Sequence, residues 1–184
     1  MTESRKRRLL TAALAFFWAI SATGADEPSP YALYLVRHAE KADGPDPGLT
    51  PAGIARAEWL SDWLSQREVA AVWSSDYRRS RQTADPAASA LGLSVQLYDP
   101  RNLEEQAGTL LARAENALVV GHSNTTPELA AMLCQCPVSP MSDSEYDRII
   151  VVTVQGAQRT VSELDAHALR PSPCLLYTSP SPRD

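Results

Sequence analysis

Apolar residues occur in short blocks separated by polar, Gly- and Pro-containing turns, and the blocks alternate between two periodicities. Residues 31–36 (YALYLV) form an apolar run that stops at a polar turn, as expected of a buried strand. Residues 41–48 are rich in Gly, Asp and Pro and predict a loop. Thr50-Pro51 then supplies an N-cap and a first-turn proline, and Ile54, Ala57, Leu60 and Leu64 recur at helical spacing to about residue 66. A strand over 69–73 and a helix over 77–91 follow, with Gly92 as the helix stop. The pattern continues with a strand over 93–97, a helix over 103–114 and a wholly apolar strand over 117–120. Thr125-Thr126-Pro127-Glu128 has the spacing of a capping box and opens a helix to about residue 133. Residues 149–154 and 160–164 read as two strands around a Gln155-Gly156-Ala157 turn.

Strands alternating with helices, several strands apolar throughout, predict an α/β fold: a three-layer α/β/α sandwich around a mostly parallel sheet. In such folds ligands bind beyond the carboxyl ends of the strands. Arg37-His38 follows the first strand, Ser74-Ser75 the second and Gly121-His122 the fourth. Three polar clusters distant in sequence should therefore meet at one sheet edge.

The two ends fall outside this pattern. Arg5-Lys6-Arg7-Arg8, an apolar run to Ile20 and the small residues around Thr23 and Ala25 predict a secretory signal peptide over 1–25, and hence a secreted or periplasmic protein. Arg7-Arg8 leaves both general and twin-arginine export open. Residues 174–184 resemble the translation of a sequencing adapter read through in frame and are set aside, which leaves one domain over 26–173. That span carries 20 Asp+Glu against 12 Lys+Arg. An acidic surface argues against nucleic acid or an anionic membrane as partner, so any positive charge used in binding must be local. Cys134-x-Cys136 would close a very tight loop and is read as two buried thiols, while Cys174 lies in the discounted tail. No Cys/His set has zinc spacing, and no metal or cofactor is expected.

Arg37 beside His38 and the segment SSDYRRSRQTA (74–84) offer guanidiniums at a strand end and a helix start. Both positions suit the binding of a phosphoryl group, because arginine stays charged and forks onto two oxygens and early helix amides attract anions. RHAEK, SSDYRRSRQTA and VVGHSN, each after a strand and in this order, resemble the histidine phosphatase superfamily, which includes phosphoglycerate mutases, acid phosphatases and small bacterial phosphohistidine phosphatases. Ala39 departs from the family's commoner RHG. The resemblance implies a phosphoglycerate mutase-like fold and a metal-independent phosphatase. His38 would be a nucleophile that becomes phosphorylated, with Arg37, Arg79 and a cationic His122 around the phosphoryl oxygens. Asn124 and Ser123 could add hydrogen bonds or simply cap a helix.

The proton donor is less defined. Ser123 stands where many members carry an Asp, so Asp99, just past the third strand, is the first candidate and Glu104 the second. Glu40 and Asp43 border the same region. The expected partner is a phosphorylated small molecule or phosphoprotein. A mutase and a catalytically silent phosphate-binding module remain alternatives.

Overall fold

The computed structural model describes residues 29–170; the signal peptide and tail expected from sequence lie outside them. A six-stranded sheet with the spatial order β3-β2-β4-β1-β5-β6 runs through the centre. Strands β1 (Tyr31–Arg37), β2 (Ala71–Ser75), β3 (Val95–Tyr98) and β4 (Ala117–Gly121) are mutually parallel. The hairpin of β5 (Arg148–Gln155) and β6 (Gln158–Asp165) adds two antiparallel strands beside β1. The hairpin turns at Gly156, whose φ of 56° is a left-handed conformation that glycine adopts without strain.

Period-two alternation along the central strands divides the core in two. Leu35, Val119 and Ile150 pack with α3 (Leu103–Arg113) and α4 (Thr125–Cys134) on one face. Val36, Leu118, Val120 and Ile149 pack with α1 (Pro51–Leu64) and α2 (Arg78–Leu91) on the other. The result is the expected three-layer α/β/α sandwich, closed by a short α5 (Ala166–Leu169). Helix α1 starts at its predicted cap, where the Thr50 hydroxyl accepts from Gly53 N–H. Gly53 itself packs so closely on the chain after β1 that a Cβ would lie 2.2 Å from Glu40 O. Ile54, placed on the helix's apolar face by spacing, is half exposed, whereas Ala57, Leu60 and Leu64 are buried.

The structure differs from the sequence reading in its strand limits, at one helix cap and at the cysteines. Strands β2 and β3 begin two residues later than expected. Strand β2 also ends two residues later, because Ser74 and Ser75 continue the ladder as fully buried residues, Ser74 pairing with Val120, instead of ending it. The capping box at α4 does not form. Thr125 Oγ1 accepts from His122 N–H and Thr126 Oγ1 donates to Val36 O, so both hydroxyls serve the strand ends, and Asn124 is the cap residue. Cys134 and Cys136 are joined in a disulfide, contrary to the free thiols expected. Gln135 at the end of α4 takes a left-handed conformation (φ 55°), which brings the two Cα atoms to 5.2 Å, within bonding range.

Candidate active site

Parallel pairing sets Arg37 opposite Gly121, so the next residue on each strand, His38 and His122, emerges at the same edge. The His38 N–H donates to Gly121 O at 2.9 Å, and the two imidazole rings lie 5.5 Å apart. Gly121 has no room for a side chain: a Cβ would meet the hydroxyls of Tyr98, Thr125 and Thr126 at 2.9–3.0 Å. Beyond these ends opens a pocket of about 600 Å3 lined by Arg37, His38, Arg79 and His122 at its centre. Lys41, Arg101, Asn124 and Asp143 lie toward its rim.

His38 is almost fully buried, 3% exposed, at the pocket floor. Its Nδ1 lies 2.8 Å from Ala39 O; a carbonyl only accepts, so Nδ1 carries the proton and Nε2 keeps its lone pair. The Ala39 peptide is itself fixed, its N–H donating to Thr83 Oγ1 at 2.9 Å. Thr83 in turn donates to Arg79 O, one helical turn earlier on α2. Gln82 accepts the Leu49 N–H at 2.8 Å and holds the far end of the same loop. Residues 79–84 thus do two things: Arg79 faces the pocket, and the residues one turn on fix the segment that orients the His38 ring.

His122 has different partners. Arg79 Nη2 approaches its Nδ1 at 3.4 Å, and a guanidinium only donates, so His122 Nε2–H faces Ser75 Oγ at 3.0 Å. Ser75 passes its own hydroxyl proton to Ser80 Oγ at 3.0 Å. Burial pushes the pKa of His122 down to about 4, and the charges of Arg79 and Arg37 act in the same direction. The cationic His122 expected from sequence is therefore neutral in the unliganded protein. Burial likewise lowers His38 to about 4, opposed by its hydrogen bond to Ala39 O and reinforced by Arg79, Arg37 and His122. A neutral imidazole with a free Nε2 is the nucleophilic form.

Arg37 is buried and spends Nη1 on two backbone carbonyls, Ser142 O at 3.1 Å and Glu145 O at 3.3 Å. Its guanidinium also lies over the Tyr146 ring at 4.2 Å. The Nε–H groups of Arg37 and Arg79 are buried without a partner among the described residues, so neither guanidinium has used its full donor capacity.

Neither predicted acid belongs to this arrangement. Asp99 does not line the pocket; it is exposed and bound by Arg101 through Nε, Nη2 and the backbone N–H, which hold its carboxyl below the usual range. Glu104 is exposed in the first turn of α3 and also does not line the pocket. Glu40 is clamped by Arg56 Nε and Nη2 at 2.8 and 2.6 Å, which keeps it ionised, while Arg56 reaches across to Asp147. Asp43 is absent from the lining. Asn124 lines the pocket and makes no cap hydrogen bond, whereas Ser123 donates to Asp143. Tyr77, Asp143 and Tyr146 were not singled out in the sequence, whereas Ser75 was placed at this edge without a role. The Ser75 side chain had one available signal, its position immediately after a buried strand. Among the described residues no group of three or more His, Cys, Asp or Glu side chains is placed to hold a metal ion.

Residues 33–110 match the family model of the histidine phosphatase superfamily (branch 1). Among solved structures the chain is similar to the protein histidine phosphatase SixA complexed with tungstate (21% identity, 76% of this chain and 99% of that one, TM-score 0.63). It also resembles a putative phosphohistidine phosphatase SixA from Nakamurella multipartitia (24% identity, 74% and 98%, TM-score 0.52). A third similar structure is a mycobacterial glucosyl-3-phosphoglycerate phosphatase (14% identity, 75% and 100%, TM-score 0.62). No curated protein sequence matches. The chain therefore shares the fold of these phosphatase structures, and its residues 33–110, which carry Arg37, His38 and Arg79, match the superfamily's model.

Because both rings bind protons more weakly folded than unfolded, they contribute stability above pH 6.5 that is lost as pH falls toward 4. Ring-proton NMR of the phosphate-free protein should find His38 and His122 neutral at pH 6, with midpoints near 4. Midpoints near 6.5 for both would show that burial does not control them.

Proposed function

We propose that this protein is a phosphatase that takes a phosphoryl group from a phosphomonoester or a phosphohistidine onto His38 and then passes it to water. The observation that carries this reading is the orientation of His38, with Nδ1–H tied to Ala39 O and Nε2 free at the floor of a pocket flanked by two buried or half-buried arginines. Phosphoryl transfer needs an in-line nucleophile and fixed positive charge around the equatorial oxygens. Arg37 and Arg79 supply that charge, and Asn124 at the rim adds a hydrogen-bond donor. In this mechanism the two guanidiniums, not a metal ion, neutralise the phosphoryl oxygens. A bound dianion offsets the repulsion that keeps a proton off His122, so His122 becomes cationic on substrate binding and donates to the transferred group. His38 Nε2 attacks phosphorus, the bond to the leaving oxygen breaks, and water then cleaves the phosphorus–nitrogen bond. The substrate is a phosphorylated small molecule or a phosphoprotein; a protein histidine phosphatase and a glucosyl-3-phosphoglycerate phosphatase both occur among the structural neighbours.

Brief incubation with a labelled phosphomonoester in the presence of a chelator should leave alkali-stable, acid-labile label on the wild type and none on His38→Ala. Arg79→Ala should slow labelling by about 100-fold or more, the usual cost of losing a transition-state donor. Labelling that survives in His38→Ala would overturn the mechanism, and labelling abolished by the chelator would overturn its metal independence.

We further propose that the protein works outside the cytoplasm. The basic, apolar and small-residue order over 1–25 supports export, and the Cys134–Cys136 disulfide suits an oxidising compartment. Residues 1–30 fused to a reporter active only after export should switch it on; a silent reporter would count against export.

A further inference from the structure

The mechanism above leaves one group without an owner, the donor of a proton to the departing oxygen. Among the described residues that line the pocket, Asp143 supplies the only carboxylate. It sits on the segment joining α4 to β5, which is pinned on both sides of it. Arg148 donates to Ser139 O at 3.2 Å and Pro140 O at 2.7 Å, and Arg37 donates to Ser142 O and Glu145 O. The carboxylate itself accepts from Ser123 Oγ at 2.7 Å, on the residue following His122, and lies 3.9 Å from Arg37 Nη2. One arginine therefore holds both the backbone beneath Asp143 and one side of the pocket.

Position along the reaction axis is the second argument. In-line displacement places the leaving oxygen opposite the nucleophile. His38 lies at the floor, 3% exposed, so the leaving oxygen points toward the mouth, and the Asp143 side chain is 94% exposed there. Asp143, Ser123 and Asn124 also line an adjoining hollow of about 500 Å3 that includes Pro127, Val138 and Met141. The carboxyl thus stands where the phosphate pocket meets a partly apolar surface able to carry the rest of a substrate.

We propose that Asp143 is the catalytic proton donor, and that the leaving group occupies the hollow beside α4. As His38 Nε2 bonds to phosphorus, the electron pair of the breaking phosphorus–oxygen bond goes to the leaving oxygen, which takes the proton of the Asp143 carboxyl and departs as an alcohol. The resulting carboxylate then accepts a proton from the water that attacks phosphohistidine, which restores both His38 and the protonated acid.

This inference rests on the phosphatase reading, and the test separates the two. Asp143→Asn should lose about 100-fold or more in kcat/KM on a simple alkyl phosphate, whose alkoxide is a poor leaving group. On 4-nitrophenyl phosphate, whose leaving group needs no proton, the loss should stay under about threefold, and Asp143→Glu should recover part of the alkyl activity. Equal losses on both substrates would make Asp143 a positioning or electrostatic group and overturn the proposal. Undiminished alkyl turnover would overturn it too. A wild type that turns over neither ester would instead bring down the phosphatase reading and this proposal with it.

Discussion

Everything at the site follows from the parallel pairing of β1 with β4, in the register that sets Arg37 beside Gly121. That one alignment delivers two histidines from chain positions 84 residues apart to the same sheet edge, locked by the hydrogen bond from His38 N–H to Gly121 O. A slip of one residue would turn one of the two rings to the opposite face of the sheet. The close packing around Gly121 reinforces the register. Tyr98, Thr125 and Thr126 crowd the position a Cβ would take, and the two threonine hydroxyls bind the adjoining strand ends. Neighbouring β2 then contributes Ser75 and the start of α2, so Arg79 reaches His122 from the side.

The site places buried positive charge in an acidic protein. Burial drives protons from both imidazoles, and the two nearby guanidiniums act in the same direction. The consequence is a His38 ring that stays neutral over the physiological range, as the proposed nucleophile must. Arg37 shows a further economy of design, because its guanidinium holds the loop that bears Asp143 and Tyr146 as well as lining the pocket.

How much of this was legible depends on how local each feature is. The three-layer architecture was readable because each apolar run or helical stripe spans one element. Arg37, His38, Arg79 and His122 were readable because each lies at a strand end or helix start inside a short motif. Ser75 was legible as part of a cluster at this edge but its partners were not, because its hydroxyl is satisfied by His122 and Ser80 in the interior. Which carboxylate lines the pocket was hidden for a different reason. Asp99 is near the correct strand end, but Arg101 two residues on binds it outside the pocket, while Asp143 reaches the pocket only through contacts with Arg37 and Arg148 that no local pattern encodes. The disulfide depended likewise on one left-handed residue, Gln135.

The central claim is that Arg37, His38, Arg79 and His122 surround one phosphoryl group in line with His38 Nε2. A crystal structure with bound vanadate, which mimics phosphorus in transfer, tests it most directly. The account requires vanadium bonded to His38 Nε2, with its equatorial oxygens within hydrogen-bonding distance of both guanidiniums and the His122 ring. Vanadate seated elsewhere, or bound in the pocket with His38 Nε2 uninvolved, would contradict it.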